Sequence, residues 1–280
     1  MKAIAEALEI ARSNLTERLD EKRPRRTAYA KAGDGDLLNR IREIVDTRPT
    51  YGYRRVTALL NRKFATLGEA RANHKRVFRI MQLHGLLLQR YTGHRIERAH
   101  DGVVRTLRSN TRWCSDGFEI ACWNGEIVRV AFTLDTCDRE AITWTATTAG
   151  ISGEMVRDMM LVAVERRFGK CRTDQRVEFL SDNGSCYTAY ETLDFAQSIG
   201  LTPRFTPVRS PESNGMAESF VKTFKRDYVR CNPRPDATTV LASLDAWFED
   251  YNNSHPHRAL KMLSPREFIQ ANSLLAACPV

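Results

Sequence analysis

Three features of the 280-residue sequence predict a mixed-sheet α/β domain covered by helices and preceded by a small all-α helix-turn-helix domain. The apolar period is helical to about residue 90 and strand-like from about residue 111. Three β-rich runs then follow one another as antiparallel strands, and beyond them helical and strand segments alternate to about residue 252.

Ile4, Leu8, Ala11, Leu15 and Leu19 recur at helical spacing and predict an amphipathic helix over 1–20. The basic, Pro- and Gly-containing run EKRPRRTAYAKAGDGD follows as a linker, so residues 1–36 read as helix plus linker. Residues 37–47 resume the helical period, a loop leads into a helix over about 54–64, and Asn73 caps another over about 74–83. That succession gives 37–90 the layout of a helix-turn-helix domain. Val77, Ile80 and Met81 would face its core, while Lys75, Arg76 and Arg79 would lie on the exposed side, with Arg54 and Arg55 adding charge one helix earlier. A three-helix fold with a solvated basic face would have the same pattern. Charge distribution favours DNA contact: residues 1–110 hold 24 Lys and Arg against 12 Asp and Glu, whereas 111–280 hold 19 against 22.

Residues 91–110 are basic and aperiodic and read as a linker to a core at 111–270, with 271–280 as a tail. In the core, RWCSDGFEIACW, the turn NGE and IVRVAFTLDTCD predict a hairpin through Asn-Gly, and REAITWTATTA a third strand. Residues 152–168 form an amphipathic helix with Met155, Met159, Val162 and Ala163 inside. RVEFLSD is a short buried strand, 187–199 a helix, and LTPRFTP a fifth strand. After a loop with Pro211, Ser213, Asn214 and Gly215, a helix carries Met216, Phe220 and Phe224 on one face and Glu218, Lys222 and Lys225 on another; a last helix spans about 237–252.

Three carboxylates stand out. Asp116 occupies a strand position where an apolar residue or Thr is favoured, Asp182 lies where the fourth strand runs into a turn, and Glu218 follows after 35 residues. Each has a local explanation: an exposed strand residue, an Asx turn before Asn-Gly, a charge favourable near a helix N-terminus. Adjacent strands and a returning helix can nevertheless bring all three together. Converging carboxylates repel unless cations sit between them, and an all-oxygen set suits Mg²⁺ or Mn²⁺. Two such ions about 4 Å apart can activate an attacking oxygen and stabilise a leaving one in phosphodiester chemistry.

WCSD, FLSDNGSCY and SPESNGMAESFVKTFKRDY resemble the aspartate–aspartate–glutamate signature of bacterial insertion-sequence transposases of the OrfB type, whose core is similar to that of retroviral integrases. YNNSHPHRALKMLSPREF (251–268) resembles that family's closing motif, and RPTYGYRR and KRVFRIM its helix-turn-helix segment. The resemblance runs from about 48 to 270 and implies a ribonuclease H-like mixed five-stranded sheet with flanking helices. It also implies catalytic, metal-binding Asp116, Asp182 and Glu218, with two Mg²⁺ or Mn²⁺ ions, and cleavage and strand transfer of double-stranded DNA at element ends. Lys225, seven residues after the glutamate, matches a family cation and would grip DNA, whereas Lys222 suits a surface salt bridge. Implied partners are element-end and target DNA, further copies of the chain on that DNA, and an upstream-frame OrfA product, separate or fused by frameshift. The alternative is a catalytically inactive DNA-binding regulator on the same fold; a ribonuclease H-like nuclease for RNA–DNA hybrids would have no evident use for the basic helix-turn-helix.

Other classes find no support. The seven cysteines form no Cys-x-x-Cys pair and do not combine with the six histidines at zinc spacing, which fits reduced thiols in a cytoplasm. No apolar run approaches the roughly 20 residues of a membrane span, and Glu6 and Glu9 interrupt what would be a signal-peptide core. These features predict a soluble intracellular protein, and the resemblance implies a bacterial cytoplasmic one associated with the nucleoid.

Overall fold

The computed structural model describes residue 4 and residues 31–89, 106–206 and 214–277. Most of the N-terminal helix and its linker, most of the 91–110 linker, and part of the 211–215 loop lie outside these residues.

The first described unit has three helices: α1 (Asp34–Thr47), α2 (Tyr53–Thr66) and α3 (His74–Leu83). α1 begins three residues before the periodic stretch, because Asp34 and Asp36 place negative charge in its first turn, where unpaired backbone N–H groups favour it. α3 starts where Asn73 predicts, its side chain accepting from Lys75 N at 2.9 Å. Ile41, Val56, Leu60, Val77, Ile80 and Met81 are buried together as this unit's core.

The second unit is built on β1 (Arg112–Ala121), β2 (Ile127–Asp135), β3 (Ala141–Thr147), β4 (Val177–Ser181) and β5 (Leu201–Phe205). They form one mixed sheet in the order β3-β2-β1-β4-β5. β1, β2 and β3 are antiparallel neighbours, whereas β4 runs parallel to β1 and β5 parallel to β4. α4 (Gly153–Phe168) packs on one face with α5 (Ser185–Thr188) and α6 (Tyr190–Ser198); α7 (Gly215–Phe224) and α8 (Ala237–Ser254) cover the other. α9 (Pro265–Ala277) packs against α8.

Two local expectations change. The single helix at 187–199 is broken at Ala189, whose extended backbone (ψ 135°) separates α5 from α6. In α4 the buried residues are Val156, Met159, Met160, Ala163 and Val164, while Met155 and Val162 are only partly covered. The sheet on one side and α6 on the other give that helix a wider apolar arc than one stripe.

Candidate functional site

The parallel pairing of β1 and β4 sets the geometry of the site. Arg112 stands opposite Glu178, Trp113 opposite Phe179, and Cys114 opposite Leu180. Continued two residues beyond its last pair, that register would set Asp116 level with Asp182, just past the end of β4. Side chains alternate across a strand, so Asp116 shares a sheet face with Phe118. That face is the one α7 covers: Phe118 meets Phe224 at 5.6 Å between ring centroids, and Phe132 meets Phe220 at 4.4 Å. The buried side of α7 is thus pinned by aromatic packing, and Glu218 is carried on its half-exposed side. At the start of the helix, buried Asn214 donates from Nδ2 to the carbonyl of Ser115 at 3.2 Å, tying α7 to the residue before Asp116. Ser115 Oγ is hydrogen-bonded to Tyr187 Oη at 2.7 Å, which joins β1 to α5 beyond Asp182.

Of the three carboxylates, Asp116 feels the other two. Burial raises the pKa of the half-buried Asp116; the N–H of Gly117, at 2.8 Å, opposes this, and the nearby charges of Asp182 and Glu218 push it further up. Asp182 also makes the turn that its Asn-Gly context predicts, accepting from Gly184 N at 3.1 Å. A Cβ on Gly184 would stand 3.1 Å from the same carboxylate oxygen, so the glycine leaves that carboxylate its room. Glu218 receives Lys222 Nζ at 3.2 Å in an exposed i, i+4 pair, the surface role expected for Lys222.

Among the described residues, no three His, Cys, Asp or Glu side chains close on one point as a preformed cation cage. The chemistry still fits a hard dication: the donors are all oxygen, and Mg²⁺ needs only one or two carboxylates with water completing its shell. The raised proton affinity of Asp116, caused by burial and then by its carboxylate neighbours, would be relieved by such a charge.

The expected DNA-binding cations separate into distinct environments. Lys225 starts a π-helical turn, Lys225–Val229, and its Nζ lies 5.7 Å from the Phe118 ring centroid, on the sheet face that bears Asp116. Lys75 and Arg54 are exposed beside a ring stack of Tyr53 and His74, with Arg54 Nε donating to Tyr53 Oη at 3.1 Å. Arg76 and Arg79 are half-buried instead of fully exposed, and both reach Asp34, at 2.7 and 2.6 Å. Arg55 turns inward to Asp227, 3.1 Å away. Tertiary partners, invisible in helical periodicity, explain both differences. Sequence reasoning also passed over Asp227 itself, whose only local signal is an acid between cations and apolar residues in FKRDYV.

A mixed sheet with one aspartate inside β1 and another just past the end of the parallel β4, beside a basic helical unit, suits a nucleic-acid-processing core. Two Integrase core domain families match residues 107–211 and 199–265, and an HTH-like domain family matches residues 33–94. The chain is 53% identical over 253 residues to the Escherichia coli "Transposase InsD for insertion element IS2A/D/F/H/I/K", covering 90% of this chain and 82% of that protein. Among solved structures, similarity extends to the catalytic core domain of BIV integrase (TM-score 0.41, 21% identity, 60% of this chain and 99% of that one). It extends also to the catalytic domain of Mos1 mariner transposase (TM-score 0.42, 16% identity, 50% and 70%). The chain belongs to the insertion-element transposases with an integrase core domain, and its sheet has the ribonuclease H-like form. Its class of partner is DNA, and no helix among the described residues is long and apolar enough to cross a membrane.

Proposed function

We propose that Asp116, Asp182 and Glu218 form the catalytic site of a transposase that cuts the ends of an insertion element and joins them to target DNA. The observation that supports this is the parallel pairing of β1, which carries Asp116, with β4, which runs out into Asp182; the pKa of Asp116 is raised by burial first and then by Asp182 and Glu218. These three side chains would hold one or two Mg²⁺ or Mn²⁺ ions. When bound, such ions supply Lewis-acid activation of an attacking oxygen and charge stabilisation at the leaving one.

The protein's own contribution is placement. Aromatic packing fixes α7 against β1, so Glu218 is carried to the aspartates by a rigid element. Lys222 pairs with the Glu218 carboxylate on the surface, a contact that a bound cation would compete with. Lys225, resting over Phe118, places positive charge where a phosphodiester backbone would cross the site. Arg54 and Lys75 flank the Tyr53–His74 stack and offer phosphate contacts from the HTH-like unit. Arg76 and Arg79 can reach DNA only by sharing or releasing Asp34.

The enzyme would act on double-stranded element ends and target DNA in the bacterial cytoplasm, at the nucleoid, as an assembly of several copies and with an upstream-frame OrfA product. An incubation of the full chain with labelled end DNA and Mg²⁺ tests the reaction. Nicking at the end followed by joined product is expected, and loss of both with EDTA. Binding without any strand breakage in Mg²⁺ or Mn²⁺ would favour the inactive regulator.

A further inference from the structure

Two segments that resemble family motifs have no part in the carboxylate site: 48–55 (RPTYGYRR) and 251–268 (YNNSHPHRALKMLSPREF). In the folded chain they face each other. Arg48 donates from both Nη atoms to Asp250, and Tyr51 Oη is hydrogen-bonded to His255 Nδ1 at 2.8 Å. Further along α2, Arg62 donates to the carbonyls of Ser254 (2.6 Å) and Met262 (3.1 Å) and pairs with Glu267 at 2.6 Å. Tyr51 and His255 are 2% and 0% exposed, so water is excluded from the middle of this contact.

Arg55 completes the clasp at a different point. Its partner Asp227, with a side chain only 1% exposed, lies in the π-helical turn that continues α7 without a break. The turn is closed by Arg230 N donating to Lys225 O, five residues back, at 2.9 Å. Its extra residue allows Asp227, Tyr228 and Val229 to be buried in succession, which a single face of an α-helix does not permit. Asp227 faces α2, Tyr228 donates to Asp250 at 2.8 Å, and Val229 joins the core. Arg226 also pairs with Asp227, at 2.6 Å, but it comes from the same turn and links nothing to it. Among the described residues, Arg55 is the side chain from the HTH-like unit that reaches the end of the Glu218 helix by an ion pair.

We propose that Arg55 is a positioning residue: through Asp227 it fixes the register of α7 and so the aim of Glu218 and Lys225. It thereby couples the DNA-gripping unit to the carboxylate site instead of touching DNA itself. This rests on the transposase reading for its consequence, though not for the coupling. Because Arg226 still compensates Asp227, Arg55→Met should fold, and its effect should fall on register.

The test uses the full chain and four proteins: wild type, Arg55→Met, Arg55→Lys and, as a control that loosens the clasp away from the turn, Arg62→Met. Hydrogen exchange is followed in the free protein over 215–229. Exchange there should rise about tenfold in Arg55→Met, less in Arg55→Lys, and stay near wild type in Arg62→Met. Joining of pre-cut ends should fall at least about tenfold in Arg55→Met, with end-DNA affinity within about twofold of wild type and partial rescue by lysine. Unchanged exchange over 215–229 would overturn the proposal. So would loss of end binding in step with joining, which would make Arg55 the DNA contact its sequence context suggests. A wild-type protein that joins no ends would defeat the transposase reading alone, since the exchange comparison would still decide the coupling.

Discussion

Asp227 and Asp250 in the clasp, and Asp116 and Asp182 at the carboxylate site, are the same side chain placed in opposite company. Asp227 lies between Arg55 and Arg226, and Asp250 accepts from Arg48 and Tyr228. Asp116 has one backbone N–H and two carboxylate neighbours, and its pKa is raised by burial first and by those neighbours after it. A carboxylate enclosed by guanidinium groups has its charge spent on structure and has no affinity left for a dication. One left among other carboxylates is held at a cost that a metal ion would remove. On the proposed reading the difference separates what holds this protein together from what it would use on a substrate, and each side of it can be tested.

The largest effect should come from removing charge at the open cluster. Asp182→Asn keeps the turn to Gly184 yet removes a metal-binding oxygen, so strand cleavage should fall by about 10³-fold or more while end-DNA binding stays near wild type. A gel assay with end DNA in Mg²⁺ reads both; residual cleavage within a few-fold of wild type would remove Asp182 from the site.

Breaking a closed cluster should instead cost stability. Asp138 is fully buried and paired with Arg167 at 2.9 Å, and Arg167 also reaches Glu140. Arg167→Met leaves both acids without that cation and should destabilise the fold by about 3–5 kcal/mol in urea unfolding. A loss under about 1 kcal/mol would mean that water replaces the arginine.

Acid should open the clasp from its histidines. Burial lowers the pKa of His255 well below the ordinary range and that of His257 to about 3, against 6.5 for a free histidine. The unfolded chain therefore binds these protons first as pH falls. For His257 the stabilisation is complete above about pH 6.5 and is lost through the window down to about pH 3, by up to about 1.4 kcal/mol per pH unit, and His255 adds a loss of the same sign below about pH 6.5. His257→Gln should flatten the stability–pH curve between pH 7 and 5. An unaltered slope would show that His257 titrates normally.

Smaller changes are expected where charge meets solvent. Lys225→Ala should lower joining of pre-cut ends about fivefold to tenfold, with recovery at higher DNA concentration and no shift in Mg²⁺ requirement. Full joining would leave Lys225 as a cation resting on Phe118. Arg54→Ala with Lys75→Ala should weaken binding to end and random DNA alike and reduce the salt slope by about 1–2. A loss confined to element ends would mean that these residues read bases.

The proposed carboxylate trio is visible in the sequence as marks on local pattern: an acid inside a β-rich run, another at a strand exit before Asn-Gly, a third after a Pro/Ser/Asn/Gly cluster. The sheet was equally readable, since strand alternation and the Asn-Gly turn are short-range properties. Arg55, Arg76 and Arg79 show where such reading stops. Helical periodicity separates a core stripe from its opposite face, but it cannot say whether a cation on the flank meets water, DNA or an aspartate.

By itself the sequence determined which segments are helices and strands, which face of each is apolar, and which acids stand out of place. These follow from backbone sterics and from apolar patterning within a few residues. Tertiary structure alone decided that β4, which runs out into Asp182, pairs parallel with the strand that carries Asp116, that Asp227 receives Arg55 from 172 residues away, and that the helix after Glu218 widens into a π turn. Parallel register and cross-domain ion pairs depend on the relative placement of remote elements, and packing fixes that placement only when the whole core closes.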